Sequence, residues 1–437
     1  MSMLALAALS FPVFVLMIAL RAPIGLAMLI CGLGGTYLAT GSPNIVLARL
    51  KGETYTTFAN YDLTVVPFFL LMGQFASHSG MSASLFRAAA AFLGHRKGGV
   101  AMAAVGACGG FGAICGSSLA TAATMGRVAL PELRRYGYEG GFASAALAAG
   151  GTLGILIPPS VILVIYATLT LQNIAELFVA AVVPGVIAAL GYMLVIAIYV
   201  RVVPNSAGQR AALPWPDRMR ALGDVWPVLL VFVLVVGGIY RGWFTPTDGA
   251  AIGALATGLI AALMGRLGWS GLRACLMATG KQTAMIFFII LGAAFYRGFL
   301  ALAQVPQELT DIVTQHAFAP MTVLLIVLVF YLVMGCLMDS LSMILLTIPI
   351  FWPVISGLDF GLSPDHLAVW FGILVLIVVE VGLITPPVGL NLFVIHKIDG
   401  QTPMGRTFKA VLPFVASDIV RVALLLAFPA ITLFAIN

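Results

Sequence analysis

Charge is scarce in this sequence: 9% of its 437 residues are Asp, Glu, Lys or Arg, while 61% are hydrophobic. In soluble globular domains about a quarter of residues are charged, so a soluble fold is excluded. Cysteine and histidine are equally sparse, at five each. Cys31, Cys108, Cys115, Cys275 and Cys336 show no paired metal-ligand spacing and read as small buried side chains. No phosphate-binding glycine loop is present, and no histidine stands near Ser117 in sequence to activate it as a nucleophile. An enzyme is therefore not the expected function. The excess of basic residues, net +6, sits in short loops between apolar runs, where it reports membrane orientation and does not call for a nucleic-acid partner.

What the chain does have is apolar runs of about 17 to 25 residues, the length a helix needs to cross a hydrocarbon core about 30 Å thick. About ten crossings fit on this reading. The N-terminal stretch MSMLALAALSFPVFVLMIAL lacks a basic segment ahead of its apolar run, and its first positive charge is Arg21. It is expected to be a retained helix whose start faces outward, not a cleaved signal peptide.

Two of the runs are interrupted by the same device. GILIPPS occupies 154–160 and GLITPPVG occupies 382–389, and aligning Pro158 with Pro386 also aligns Gly154 with Gly382. An interior proline removes a backbone hydrogen bond at a cost of about 3 kcal/mol, and hydrocarbon offers no water to the freed carbonyls. A break repeated at matched places reads as built in. Other matches keep the same order at a near-constant offset: RAPIGLA (21–27) with FTPTDGA (244–250), FFLLMG (68–73) with FFIILG (287–292), and ICGSSLATAA (114–123) with CLMDSLSMIL (336–345).

A duplicated all-α polytopic membrane protein follows. Residues 1–205 form the first repeat, with a re-entrant hairpin at about 98–130 and a broken helix at about 140–171. A cytoplasmic linker covers 206–225. Residues 226–437 form the second repeat, with its hairpin at about 320–355 and its broken helix at about 366–396. Each hairpin limb is too short to cross, so it dips in and returns. Five crossings per half invert the second copy. Charge agrees: Arg87, Arg96, Lys97, Arg127, Arg134 and Arg135 flank the first hairpin, whereas Glu308, Asp311, Asp359 and Asp365 flank the second. The first pair of feet belongs in the cytoplasm, the second outside, and both termini outside. Arg49 and Lys51 run against this pattern, which an interfacial helix over 44–60 would accommodate.

Paired hairpins and broken helices at matched positions of inverted halves point to a secondary transporter with its site near the midplane. Na⁺ favours oxygen ligands, and the hairpin tips and proline breaks supply them. Candidate Na⁺ ligands are Gly116, Ser117 and Ser118 at the first tip, Asp339 and Ser340 at the second, and Thr385, Pro386 and Gly389 at the second break. Thr121, Thr124, Pro158 and Asn391 are candidates for contacting substrate, and the helix N-termini at the tips suit an anion. Serine in a membrane helix also bonds its own helix backbone, and Asp339, Ser342 or the intramembrane Glu380 can equally cap or satisfy broken backbone. A proton-coupled organic-anion transporter and an ion channel are the rival readings.

At these residues the chain resembles the large, DctM-type membrane subunit of the tripartite ATP-independent periplasmic (TRAP) transporters. The stretches that carry the resemblance are GAICGSSLATAATMGRVALPELRRYGY, GGTLGILIPPSVILVIY, FTPTDGA, MDSLSMILLTIPI and EVGLITPPVGLNLFV. It implies an elevator-type mechanism driven by a Na⁺ gradient in the bacterial inner membrane. It also implies two partners: a small four-helix membrane subunit as a separate chain, and a soluble periplasmic protein that captures an organic acid. Asp248 stands where the family usually has Glu, and Cys115 where a smaller polar residue is common.

Overall fold

A computed structural model describes residues 2–316 and 318–436, and of residue 314 the backbone alone. Among the described residues every regular element is helical. The first half runs α1 (Met3–Ala19), α2 (Ile24–Thr40), α3 (Pro43–Phe58), α4 (Val65–Ser79), α5 (Met81–Leu93), α6 (Gly99–Cys115), α7 (Ser118–Arg135), α8 (Gly140–Leu156), α9 (Val161–Thr170) and α10 (Ile174–Val202). The second runs α11 (Trp215–Gly223), α12 (Trp226–Phe232), which continues through a π-turn into α13 (Gly238–Tyr240), then α14 (Pro246–Leu263), α15 (Trp269–Leu302) and α16 (Val305–Gln315). It closes with α17 (Pro320–Gly335), α18 (Ser340–Ser356), α19 (Pro364–Ile384), α20 (Leu390–Asp399), α21 (Met404–Ala427) and α22 (Ala430–Leu433).

The ten crossings expected from run lengths are not ten long helices. Five described helices are long and apolar enough to span a bilayer alone, namely α10, α14, α15, α19 and α21, and two bent pairs, α8 with α9 and α11 with the α12–α13 rod, qualify when each is taken as one span. Turn chemistry divides the rest. The run through 65–93 is cut where Gly80 takes φ 75°, a left-handed conformation that ends α4 and starts α5. In the segment expected as a linker, Pro214 and Trp215 open the amphipathic α11.

The two broken helices form the centre. In α8 the sequence GGFASAALAAGGTLGIL is small or apolar on every face, and all of it after Gly140 is buried. In α19 every residue from Leu367 to Ile384 is buried. A helix apolar all round belongs in the interior of a bundle.

Packing is reciprocal between the halves. Helix α2 packs on α15 as α14 packs on α4; α6 packs on α8 as α17 packs on α19; α7 meets α20 as α18 meets α9. Two glycine contacts repeat as well. A Cβ added at Gly112 of α6 would lie 2.5 Å from the Cα of Gly154 in α8, and one added at Gly382 of α19 would lie 2.6 Å from the Cα of Gly335 in α17. Each hairpin is thus pressed backbone to backbone against the broken helix of its own half. The result is the fold of two inverted, interlocked repeats.

Candidate transport site

The first hairpin turns where Gly116, at φ 62°, closes α6 by donating its N–H to the Gly112 carbonyl at 2.8 Å. Ser117 then N-caps α7, accepting from the Ala120 N–H at 3.4 Å. The second hairpin turns through Cys336 to Met338. Asp339 N-caps α18 there, accepting from the Ser342 N–H at 3.1 Å and the Ser342 hydroxyl at 2.6 Å. The capping reading of these residues is therefore observed. Both tips place a helix N-terminus at the turn, and only the second carries a carboxylate on it.

The breaks match each other too. After α8 the chain is extended at Ile157, the Pro158–Pro159 bond is cis, and Ser160 caps α9, which leaves at 45° to α8. After α19, Thr385 is extended, the Pro386–Pro387 bond is cis, and Gly389 precedes α20 at φ 66°.

A cavity of about 430 Å³ opens between the tips and the long helices α4 and α15. Gly116, Ser117, Ser118, Thr124, Asp339 and Ser340 line it together, although the two tips lie far apart in sequence. The remaining candidates sit elsewhere. Thr121 is buried with its hydroxyl unpartnered among the described residues, and Pro158 is buried in the first break. Asn391 is buried and donates to the Ala148 carbonyl at 3.3 Å, which joins α20 to α8. The Thr385 hydroxyl bonds the Val381 carbonyl at 2.6 Å, and Pro386 and Gly389 lie with it at the second break, outside the cavity wall.

Sequence reasoning missed four polar residues of the wall. Gln74 donates to Gln282 at 3.3 Å, Ser77 bonds Thr124 at 3.2 Å, and the exposed Arg127 contributes a cation. For Arg127 a signal existed, since it follows Thr124 by three positions and so shares its face of α7. Glu380, on α19, is 1% exposed and accepts from the Ser118 hydroxyl at 3.3 Å. At its foot the first hairpin is fastened to the other repeat: Arg134 pairs with the Asp399 carboxylate at the end of α20, and Ser144 of α8 also donates to it, at 3.4 Å.

A second cavity, of about 200 Å³, lies farther along the same helices. Helix α9 offers Ile162 to the first cavity and Ile165 to the second; α15 offers Ile286 and then Ile290; α18 offers Leu341 and then Leu345. One turn of apolar side chains on three helices therefore separates two openings.

Paired re-entrant hairpins and broken helices around polar cavities deep in a helical bundle define a membrane transport protein. Residues 11–431 match the family of the tripartite ATP-independent periplasmic transporter, DctM component. The C4-dicarboxylate TRAP transporter large permease protein DctM of Pseudomonas aeruginosa is 39% identical over 90% of this chain and 90% of its own length. The protein of the same name from Vibrio cholerae is 33% identical over 93% of this chain and 92% of its own. The chain belongs to this family, as a TRAP transporter large permease subunit. Among solved structures the Alcanivorax borkumensis YdaH transporter, whose crystal structure was reported to reveal an unusual topology, shares the fold with a TM-score of 0.64 at 15% identity, covering 88% of this chain and 89% of its own.

Proposed function

We propose that this subunit imports a small organic acid across the bacterial inner membrane, driven by Na⁺. The acid would be delivered by a periplasmic binding protein, with a small four-helix membrane subunit as the second partner. The observation that carries this reading is the convergence of both hairpin tips on one cavity of a size that suits a small ligand. Arg127 at its wall and the α7 N-terminus favour an anion, and the names of the relatives favour a C4-dicarboxylate within that class. The apolar turn between the two cavities supports alternating access, because a path open at both ends would leak. An elevator movement of the hairpins and broken helices along α4 and α15 would carry the site from one opening to the other.

Coupling follows from electrostatics. An anion entering against an inside-negative potential is opposed by about 2.3 kcal/mol per charge per 100 mV; one cation per negative charge cancels this, and each further cation adds inward drive. The first Na⁺ site would combine Ser117 and Ser118 with carbonyls near Gly116; the second would combine Asp339 or Ser340 with carbonyls around Thr385, Pro386 and Gly389. Uptake by the reconstituted three-component system is expected to be sigmoidal in Na⁺. Ser118→Ala and Thr385→Ala should each raise the half-maximal Na⁺ concentration about tenfold, equivalent to about 1.4 kcal/mol, while capture by the binding protein is unchanged. Unaltered Na⁺ dependence in both variants would reject these ligands. Uptake that ignores Na⁺ but follows pH would establish proton coupling instead.

Orientation has its own test. Single cysteines placed beside Lys97 and Arg134 should react with a membrane-impermeant reagent only from the cytoplasm, and those beside Asp311 and Asp359 only from the periplasm. Labelling of both pairs from one side would defeat the proposed topology, including periplasmic termini.

A further inference from the structure

We infer that Glu380 is a positioning residue that orients hydroxyls from both hairpin tips toward their ions, and so makes the two Na⁺ sites fill cooperatively. The inference rests on the Na⁺ sites proposed above. Glu380 lies on α19, four residues before that helix ends at Ile384, yet it accepts from Ser118 of the opposite repeat at 3.3 Å. Its other oxygen, Oε2, is buried with no hydrogen-bond partner among the described residues, and the Ser340 hydroxyl stands close to the carboxyl. Ser118 and Ser340 are equivalent in the two repeats, since each is the first residue of the helix that leaves its tip. One carboxyl therefore holds one of a matched pair of hydroxyls and keeps a free oxygen beside the other, and both serines also line the cavity.

The geometry has a direct consequence for cation binding. A serine hydroxyl has one proton and two lone pairs. It ligates Na⁺ through a lone pair only when its proton points elsewhere. Glu380 provides that other direction for both serines, which leaves their lone pairs free toward the tips. Without it, each hydroxyl is free to turn toward the cavity. Binding at one tip that fixes its serine also fixes the carboxyl, and the second serine meets an acceptor already in place. The ordering is made once and used twice, which is positive coupling.

A purely structural role is a poor fit to the surroundings. Among the described residues Glu380 has no ion pair; the nearby Arg421 is committed to Asp418 at 2.8 Å. A carboxyl kept in the middle of a membrane protein without a basic partner stabilises little and marks function. Nor is it a feature of the duplicated scaffold. Aligning Gly154 with Gly382 places Thr152 at the equivalent position of the first repeat, and Thr152 bonds the Ala149 carbonyl and the Tyr192 hydroxyl instead.

The test is binding of radioactive Na⁺ to the purified full-length chain in lipid nanodiscs, with thermal unfolding in Na⁺-free buffer as the control for folding. Wild type should bind with a Hill coefficient approaching 2. Glu380→Gln keeps the volume and one acceptor oxygen but turns an NH₂ toward the other serine, so its Hill coefficient should fall to about 1 and its half-saturating Na⁺ rise about tenfold. Glu380→Asp draws the carboxyl back by one methylene and should show the same loss, so a failure of one variant to fold leaves the other to decide. Cooperative binding of wild-type strength in the folded variants would overturn the role of Glu380 while leaving the Na⁺ sites intact. No Na⁺ binding by wild type would overturn the sites themselves, and this role with them.

Discussion

Substituting methionine for Arg421 is expected to destabilise the protein by about 3–5 kcal/mol, the largest stability loss of any single polar replacement proposed for this chain. Arg421 and Asp418 stand one turn apart on α21, 4% and 1% exposed, with Nη2 and Oδ1 2.8 Å apart. The Tyr192 hydroxyl of α10 donates to the other Asp418 oxygen at 2.8 Å and lies 3.0 Å from Thr152 of α8. The guanidinium also lies over the Tyr192 ring, 5.9 Å from its centre. This cluster joins the last long helix of each repeat, α10 and α21, to the first broken helix. Removing the arginine leaves a buried carboxylate with a single hydroxyl donor, far from water. The paired variant Arg421→Met with Asp418→Leu removes both charges at similar volume and should recover most of the loss, because an intact buried pair contributes little beyond its own desolvation. Melting temperatures of the three proteins in the same detergent decide the matter. A double variant no more stable than Arg421→Met would assign the loss to packing of the arginine stem over Tyr192.

The same cluster shows where sequence reasoning stopped. Asp418 and Arg421 are an acid and a base three apart inside an apolar helix, a pattern that marks an interior pair, but only packing reveals that α10 and α8 complete it. The proline pairs were legible because a broken backbone leaves a mark in composition, and its repetition exposed the duplication. Ser118 and Ser340 were legible for the same reason, as polar residues at turns inside apolar runs. Gln74 and Gln282 were not, since a single polar residue on a long helix does not say which neighbour it faces. Helix lengths failed for a related cause. One left-handed glycine, Gly80, divides the run through 65–93 into two short helices, a cut that run length alone does not show.

Alanine at Gly382 is expected to lower uptake about 100-fold in a protein that still folds and still assembles. The Cβ would meet the Gly335 Cα at 2.6 Å, the Gly335 carbonyl carbon at 2.7 Å and the Cys336 nitrogen at 3.1 Å. All three are backbone atoms, so no rotamer change relieves the contact, and α19 must withdraw from α17 by about 1 Å, a displacement that at a reacting or binding centre costs about 100-fold. Thr385 and the second tip lie at the two ends of that contact, so their separation changes while every oxygen remains present. Gly112→Ala should act alike at the first tip, where the added carbon meets the Gly154 Cα at 2.5 Å. Gly280→Ala is the control: it lies in the long α15 with nothing within 4 Å of the new carbon, and helix propensity makes it neutral or slightly stabilising. Transport assays on the three variants, each checked for yield and melting temperature, separate geometry from stability. Wild-type uptake by both Gly382→Ala and Gly112→Ala would mean that the hairpins do not hold their ions against the broken helices, and that the sites lie on the opposite, cavity side of the tips.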